Sequence, residues 1–193
     1  MSSKPKILAF AGATRSGSNN KKLIRLAARD AEAAGADVTL IDLADYPLPL
    51  FDGDLETKDG LPANGRKLKD LFIAHHGLLL AAPEYNSSIT GVMKNAIDWV
   101  SRPVKGEPPL NGFTGKFAAL LAASPGALGG LRGLVHVRMI LGNLGVVVLP
   151  NQLAIAKADA AFDATGEMVD ATQRAGVKAV ADRLVQVLAK QLV

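Results

Sequence analysis

The stretch Pro83-Glu84-Tyr85-Asn86-Ser87-Ser88-Ile89-Thr90-Gly91 lies between an apolar run, Gly77 to Ala82, and an amphipathic segment, Val92 to Val100. A turn at the carboxyl end of a buried strand, just ahead of a helix, is where open α/β sheets hold their ligands. Pro83 fixes one backbone angle, Asn86 tolerates unusual ones and Thr90 is a good N-cap. Such a segment holds backbone N–H groups in fixed directions. Fixed amides suit a flat ligand with a polar edge.

A second segment, Gly12-Ala13-Thr14-Arg15-Ser16-Gly17-Ser18-Asn19-Asn20, offers hydroxyls, glycines and an Asn N-cap ahead of a helix, the ingredients of a phosphate cradle. The spacing of Gly12 and Gly17 imitates a nucleoside-triphosphate loop, but Ser18 stands where a Lys must reach the phosphates, and no GxGxxG occurs. A single phosphate group fits better. Residues 1–29 carry seven cations (Lys4, Lys6, Arg15, Lys21, Lys22, Arg25, Arg29) and no acid. Lys21 and Lys22 fall in the first helical turn, where the dipole disfavours a cation by roughly 0.3 to 1 kcal/mol. A bound anion would reverse that penalty; the plain alternative is a polar connector with surface lysines. A third segment, Ser124-Pro125-Gly126-Ala127-Leu128-Gly129-Gly130, places three glycines before another helix. Close approach of a ligand and a merely flexible turn account for it equally well.

Other chemistries find no residues. There is no Cys, and the three His (His75, His76, His136) are too few for a convincing metal site. His75-His76 reads as a cap on a helix end, His136 as a surface or interface residue, and Trp99 as packing. No Ser-His-Asp order, paired carboxylates or HExxH motif is present. Convergent loops without such groups imply that a cofactor carries the reaction.

The elements that position these loops follow from the hydrophobic pattern. Apolar runs at Ile7 to Ala11, Val38 to Leu43, Leu78 to Ala82, Phe117 to Ala123 and Val146 to Leu149 alternate with helical periods at Lys21 to Ala34, Ala63 to His75, Val92 to Val100, Leu131 to Leu144 and Ala171 to Leu192. Five strand-helix repeats predict one α/β domain over residues 1–193, with a doubly wound parallel sheet in the order 2-1-3-4-5 and helices on both faces. That order brings the three loops together. Ala44 to Gly60 and Arg102 to Gly115 are too long for simple connectors and should wall the site. The net charge of +4, without basic runs interleaved with aromatics, gives nucleic-acid binding little support. Neither a signal peptide in Met1 to Lys6 nor an apolar run of membrane-spanning length is visible, so a cytoplasmic protein is expected. The segment Leu131 to Leu144 is apolar over too wide an arc for one core-facing stripe, which predicts a homodimer or homotetramer.

Together the first loop, Pro83-Glu84-Tyr85-Asn86-Ser87-Ser88 with Thr90-Gly91, Lys94-Asn95-Ala96-Ile97-Asp98-Trp99, and Ser124-Pro125-Gly126 with Gly129-Gly130 resemble the NAD(P)H-dependent FMN reductase family. One position departs: Ala13 stands where the family's GSxRxxSxN loop has Ser. The resemblance implies a flavodoxin-like fold, bound FMN, and NADPH or NADH as hydride donor. It also implies small acceptors such as quinones, azo compounds, chromate or free flavin, reduced in a ping-pong cycle in which the flavin carries the chemistry. By the same resemblance Arg15, Ser18 and Asn20 meet the phosphate, Pro83, Glu84, Tyr85 and Asn86 meet the isoalloxazine ring, and Ser124 and Gly126 form a third wall. An electron-transferring flavodoxin is the alternative. Such carriers are strongly acidic, which this chain is not.

Overall fold

The computed structural model describes residues 4–192, so Met1–Ser3 and Val193 lie outside it. Along the chain run β1 (Lys6–Ala11), α1 (Asn19–Ala33), β2 (Asp37–Asp42), α2 (Gly53–Asp59), α3 (Ala63–Ala74), β3 (Gly77–Ala81), β4 (Glu84–Tyr85), β5 (Ser88–Ile89), α4 (Gly91–Val100), β6 (Phe117–Ala123), α5 (Leu131–Asn143), β7 (Val147–Ile155) and α6 (Ala171–Gln191). Five strands pair in parallel in the order β2-β1-β3-β6-β7, while β4 and β5 form a separate antiparallel hairpin. This is the expected flavodoxin-like, doubly wound α/β sheet.

Strand alternation sorts the core into two layers. Ile7, Ala9 and Ala11 of β1 face α1 and α6, packing with Leu23, Ala27, Val177 and Leu184. Leu8 and Phe10 face the other way, toward Leu68 and Phe72 of α3, Ile97 of α4 and Leu134 of α5. The central strand β3 is buried along its whole length, and that requires an uninterrupted apolar run in place of alternation. Because the helices after β1 and β3 leave to opposite faces, a crevice opens between the carboxyl ends of these strands. Among the described residues no helix is long and apolar enough to cross a membrane.

Two elements differ from the sequence-based expectation. The last strand continues past Leu149 to Ile155, through Pro150. Pro150 lies on a sheet edge, where a missing N–H is tolerated. A register shift between Ala118 and Leu120 absorbs the extra residues, and the Arg138 guanidinium donates to the carbonyls of Val148 and Leu149 at 3.0 and 2.8 Å. The long connector after β2 contains the short helix α2, capped by Asp52, whose carboxylate accepts from the Asp54 N–H at 2.8 Å.

Candidate functional site

Three loops meet above the crevice. Gly12 N–H donates to the Ala81 carbonyl at 2.9 Å, continuing the β1-β3 ladder into the first loop. Thr90, buried, joins the first loop to α4: its hydroxyl donates to the Gly12 carbonyl at 2.6 Å and accepts from the Met93 N–H at 3.3 Å. The approach is close enough that a Cβ on Gly12 would stand 2.8 Å from the Met93 sulfur. Asn20 ties the same region to β6. Its side-chain amide donates to the Ala123 carbonyl at 2.7 Å and its oxygen accepts from the Ala123 N–H at 2.9 Å, in the manner of one more strand residue.

The resulting cleft has a volume of about 260 Å³. Arg15, Ser18, Asn20, Pro83, Glu84, Tyr85 and Ser124 line it, together with Gly12, Ala13, Thr14, Asn19, Thr90, Gly91, Val92, Ala123 and Pro125. Asn86 and Gly126 of the sequence-derived set do not. Asn86 sits at the tip of the β4-β5 hairpin, and Gly126 accepts backbone bonds from Gly129 and Lys157. Neither Gly129 nor Gly130 lines the cleft: Gly129 lies against the next strand, where a Cβ would come within 2.7 Å of the Ala156 nitrogen. Those two glycines serve chain packing instead of ligand approach.

The first loop is a bed of donors. Among the described residues the backbone N–H groups of Ala13, Thr14, Arg15, Asn19 and Asn20 donate to no protein acceptor. Ser18 occupies the N-cap of α1 yet makes no side-chain cap bond, so its nearly buried hydroxyl is also unspent. Unpaired donors around a helix N-terminus bind anions. Arg15 is exposed and, among the described residues, is the only cation lining the cleft. The neighbouring lysines, by contrast, are used internally. Lys21 is bound to the Thr14 carbonyl and Asp42, and Lys22 lies 5.7 Å from the centre of the Phe162 ring. Their place in the first turn therefore reflects partners inside the chain as well as any anion.

The second wall is the β4-β5 hairpin. Asn86 and Ser87 at its tip have φ of 50° and 66°, the paired left-handed conformation that matches the twist of a two-residue hairpin. Glu84 points its carboxylate away to the start of α5, accepting from Arg132 Nε at 2.7 Å and the Gly133 N–H at 3.2 Å. Burial works against its ionisation, but Arg132 and the Gly133 amide outweigh it and hold the carboxyl below the usual range. Glu84 thus fixes the hairpin without presenting a free negative charge to the cleft. Tyr85 is 61% exposed at the rim, so its ring is open to a ligand. His136 bonds the Ser88 hydroxyl at 2.8 Å, supporting the hairpin from outside.

Neither long connector lines the cleft itself: the one after β2 borders a neighbouring hollow through Ala44, Tyr46, Pro47 and Leu48, next to Thr14 and Val92, and the segment from Arg102 to Gly115 lies away from both. Residues one helical turn apart on α4 hold the connector after β2. Asn95 donates to the Pro49 carbonyl at 2.9 Å and accepts from the Phe51 N–H at 2.8 Å; Trp99 Nε1 donates to the same carbonyl at 2.8 Å. Phe51 packs edge-on against Trp99, and the Arg102 guanidinium lies over the Phe51 ring, 5.1 Å from its centre. Sequence reasoning read Trp99 as packing only. The i, i+4 spacing of Asn95 and Trp99 was the available signal; Arg132, distant in sequence from Glu84, gave none.

Comparison with known proteins agrees with this geometry. The family model for NADPH-dependent FMN reductase matches residues 5–160. The chain is 38% identical over 171 residues to an NAD(P)H-dependent FMN reductase of Pseudomonas aeruginosa, covering 88% of each protein. It is 32% identical over 176 residues to a quinone reductase of Escherichia coli, again covering 88% of each. Among solved structures, the flavoenzyme NAD(P)H:(acceptor) oxidoreductase FerB of Paracoccus denitrificans superposes with a TM-score of 0.79 at 28% identity, over 98% of this chain and all of that one. With its parallel sheet, its three-loop cleft and a bed of free amides at the helix start, the chain belongs to the NADPH-dependent FMN reductase family and is an oxidoreductase that works with FMN and NAD(P)H.

Proposed function

We propose that this protein takes reducing equivalents from NADH or NADPH at an FMN held in the cleft and passes them to small acceptors by a ping-pong cycle. Quinones, azo compounds, chromate and free flavin are the acceptor classes in view; the relative named a quinone reductase supports the first. FMN supplies hydride transfer when bound. The observation that carries the reading is the run of unpaired N–H groups at Ala13, Thr14, Arg15, Asn19 and Asn20 beside a hairpin of fixed geometry.

The roles of the residues follow from their chemistry. Arg15, the Ser18 hydroxyl and the loop amides receive the phosphate; Asn20, its side chain already paired, contributes its backbone N–H. Pro83, Glu84, Tyr85 and Asn86 make the wall against the ring, with Glu84 acting through its clamp on α5 and Asn86 through the turn it permits. Ser124 closes the third side, and the Gly126 carbonyl ties that loop together by accepting from the Gly129 and Lys157 N–H groups. Ala13 leaves the phosphate one hydroxyl fewer than a Ser would. No side chain acts as acid or base: the wall from Pro83 to Asn86 would hold the ring in place, and the bound flavin would supply the chemistry. The active form is a homodimer or homotetramer of one-domain chains, for Leu131, Val135 and Met139 form an exposed stripe along α5 at four-residue spacing. Initial rates over a grid of NADPH and quinone concentrations test the cycle. Parallel double-reciprocal lines are expected, and lines that intersect would overturn it.

A further inference from the structure

Lys21 is an odd residue for its position. It stands in the first turn of α1, where the helix dipole disfavours a cation, and it is only 6% exposed. Its ammonium donates to the Thr14 carbonyl at 2.9 Å and to Asp42 Oδ2 at 2.6 Å. Only the Lys21 end of this pair is buried, the Asp42 side chain being 34% exposed, so the attraction is partly screened while the ammonium is desolvated in full, and stability alone gives no reason for a Lys here. The Thr14 carbonyl does.

Lys21 and Asp42 line a separate hollow with Ala11, Ile24 and Ile41, behind the first loop and outside the cleft. No peptide bond in the described chain is cis, and in a trans peptide the carbonyl and the following N–H point in opposite directions. A Thr14 carbonyl drawn back toward Lys21 therefore sends the Arg15 N–H forward, to the side of the cleft that Thr14 and Arg15 both line. That N–H has no protein acceptor among the described residues.

We infer that Lys21 is a positioning residue for the cofactor phosphate: held by Asp42, its ammonium fixes the Thr14–Arg15 peptide so that the Arg15 amide is already aimed at the anion. The inference rests on the proposed function, in which the first loop holds a phosphate group. Preorganised donors bind an anion without the reorientation that a free loop requires. Lys21 thus acts on affinity for a phosphate-bearing flavin and has no part in holding the ring.

Titration of FMN and of riboflavin into wild-type and Lys21→Met apoprotein, followed by fluorescence quenching, provides the test. Lys21→Met should weaken FMN roughly tenfold, about one hydrogen bond to a charged group, and leave riboflavin within about twofold. Equal losses for both flavins, or unchanged FMN binding, would overturn the inference. Should Lys21→Met fail to fold, amide NMR of the wild-type protein decides. The Arg15 amide proton should move downfield with FMN but not with riboflavin, and an identical response to both would overturn the inference. If the wild type itself prefers neither flavin, the phosphate reading falls, and the role of Lys21 with it.

Discussion

Arg15 and Asn20 stand in one loop and look alike in the sequence, yet they divide the work. Arg15 is exposed, lines the cleft and has no ion-pair partner among the described residues. Charge-assisted bonds contribute about 1.5 to 3 kcal/mol each, so Arg15→Ala should weaken FMN by roughly 10- to 150-fold with little effect on riboflavin. Fluorescence titration with both flavins checks this. Asn20 spends its side-chain amide on the Ala123 backbone. Asn20→Ala should leave buried groups of Ala123 unpaired, lower stability by about 1 to 3 kcal/mol in urea unfolding, and weaken both flavins together. This partnership was illegible in the sequence because its halves are 103 residues apart. The anion-friendly composition of the loop was legible, since hydroxyls, glycines and a helix start are local features. A third residue reports on pH. Burial first, then the charges of Lys116, Lys6 and His75, hold the His76 pKa below its ordinary value, and its Nδ1 accepts the Lys6 N–H at 3.1 Å. A base with a lowered folded pKa leaves stability intact above the unfolded value, about 6.5, and loses it as pH falls through that value toward the folded one. Urea unfolding at about pH 7.5 and about pH 5.5 should show wild type weakening more than His76→Gln.

The hairpin of β4 and β5 is the element on which the ring-facing wall depends. Its strands are two residues each, too short for any periodic pattern, and Tyr-Asn-Ser-Ser lacks the Asn-Gly pair that announces such turns. Sequence reasoning found the fixed loop and the tolerance of Asn86 but not the pairing that creates them. The left-handed tip makes a direct forecast. Asn86→Ala should lower stability by about 1 to 2 kcal/mol through backbone strain, whereas Asn86→Gly should not. Melting of the two apoproteins measures it. The order of the main strands, by contrast, was legible from the alternation of apolar runs with helical periods, because burial on both faces demands such runs. The extension of β7 beyond Pro150 was not, since Pro-Asn reads locally as a turn and only the bulge opposite Ala119 reconciles it with the sheet.

At the scale of the whole molecule, an exposed apolar stripe on α5 adjoins the hairpin that forms one wall of the cleft. Val135 and Met139 are 58% and 66% exposed, and a twofold pairing would cover the stripe on both chains at once. Light scattering should give a multiple of the 20.1 kDa chain mass, reduced toward one chain by Val135→Lys with Met139→Lys. A wild type that remains at one chain mass at micromolar concentration would count against the assembly. The central claim, that this fold brings NAD(P)H to FMN for direct reduction, is reached most directly by anaerobic stopped-flow mixing of FMN-loaded protein with NADPH or NADH. The visible absorbance of the oxidised flavin should be lost in a single-turnover phase whose rate rises and saturates with the pyridine nucleotide. If the bound flavin stays oxidised with both nucleotides yet accepts electrons from a reduced carrier protein, the molecule is an electron carrier, and direct reduction by NAD(P)H is contradicted.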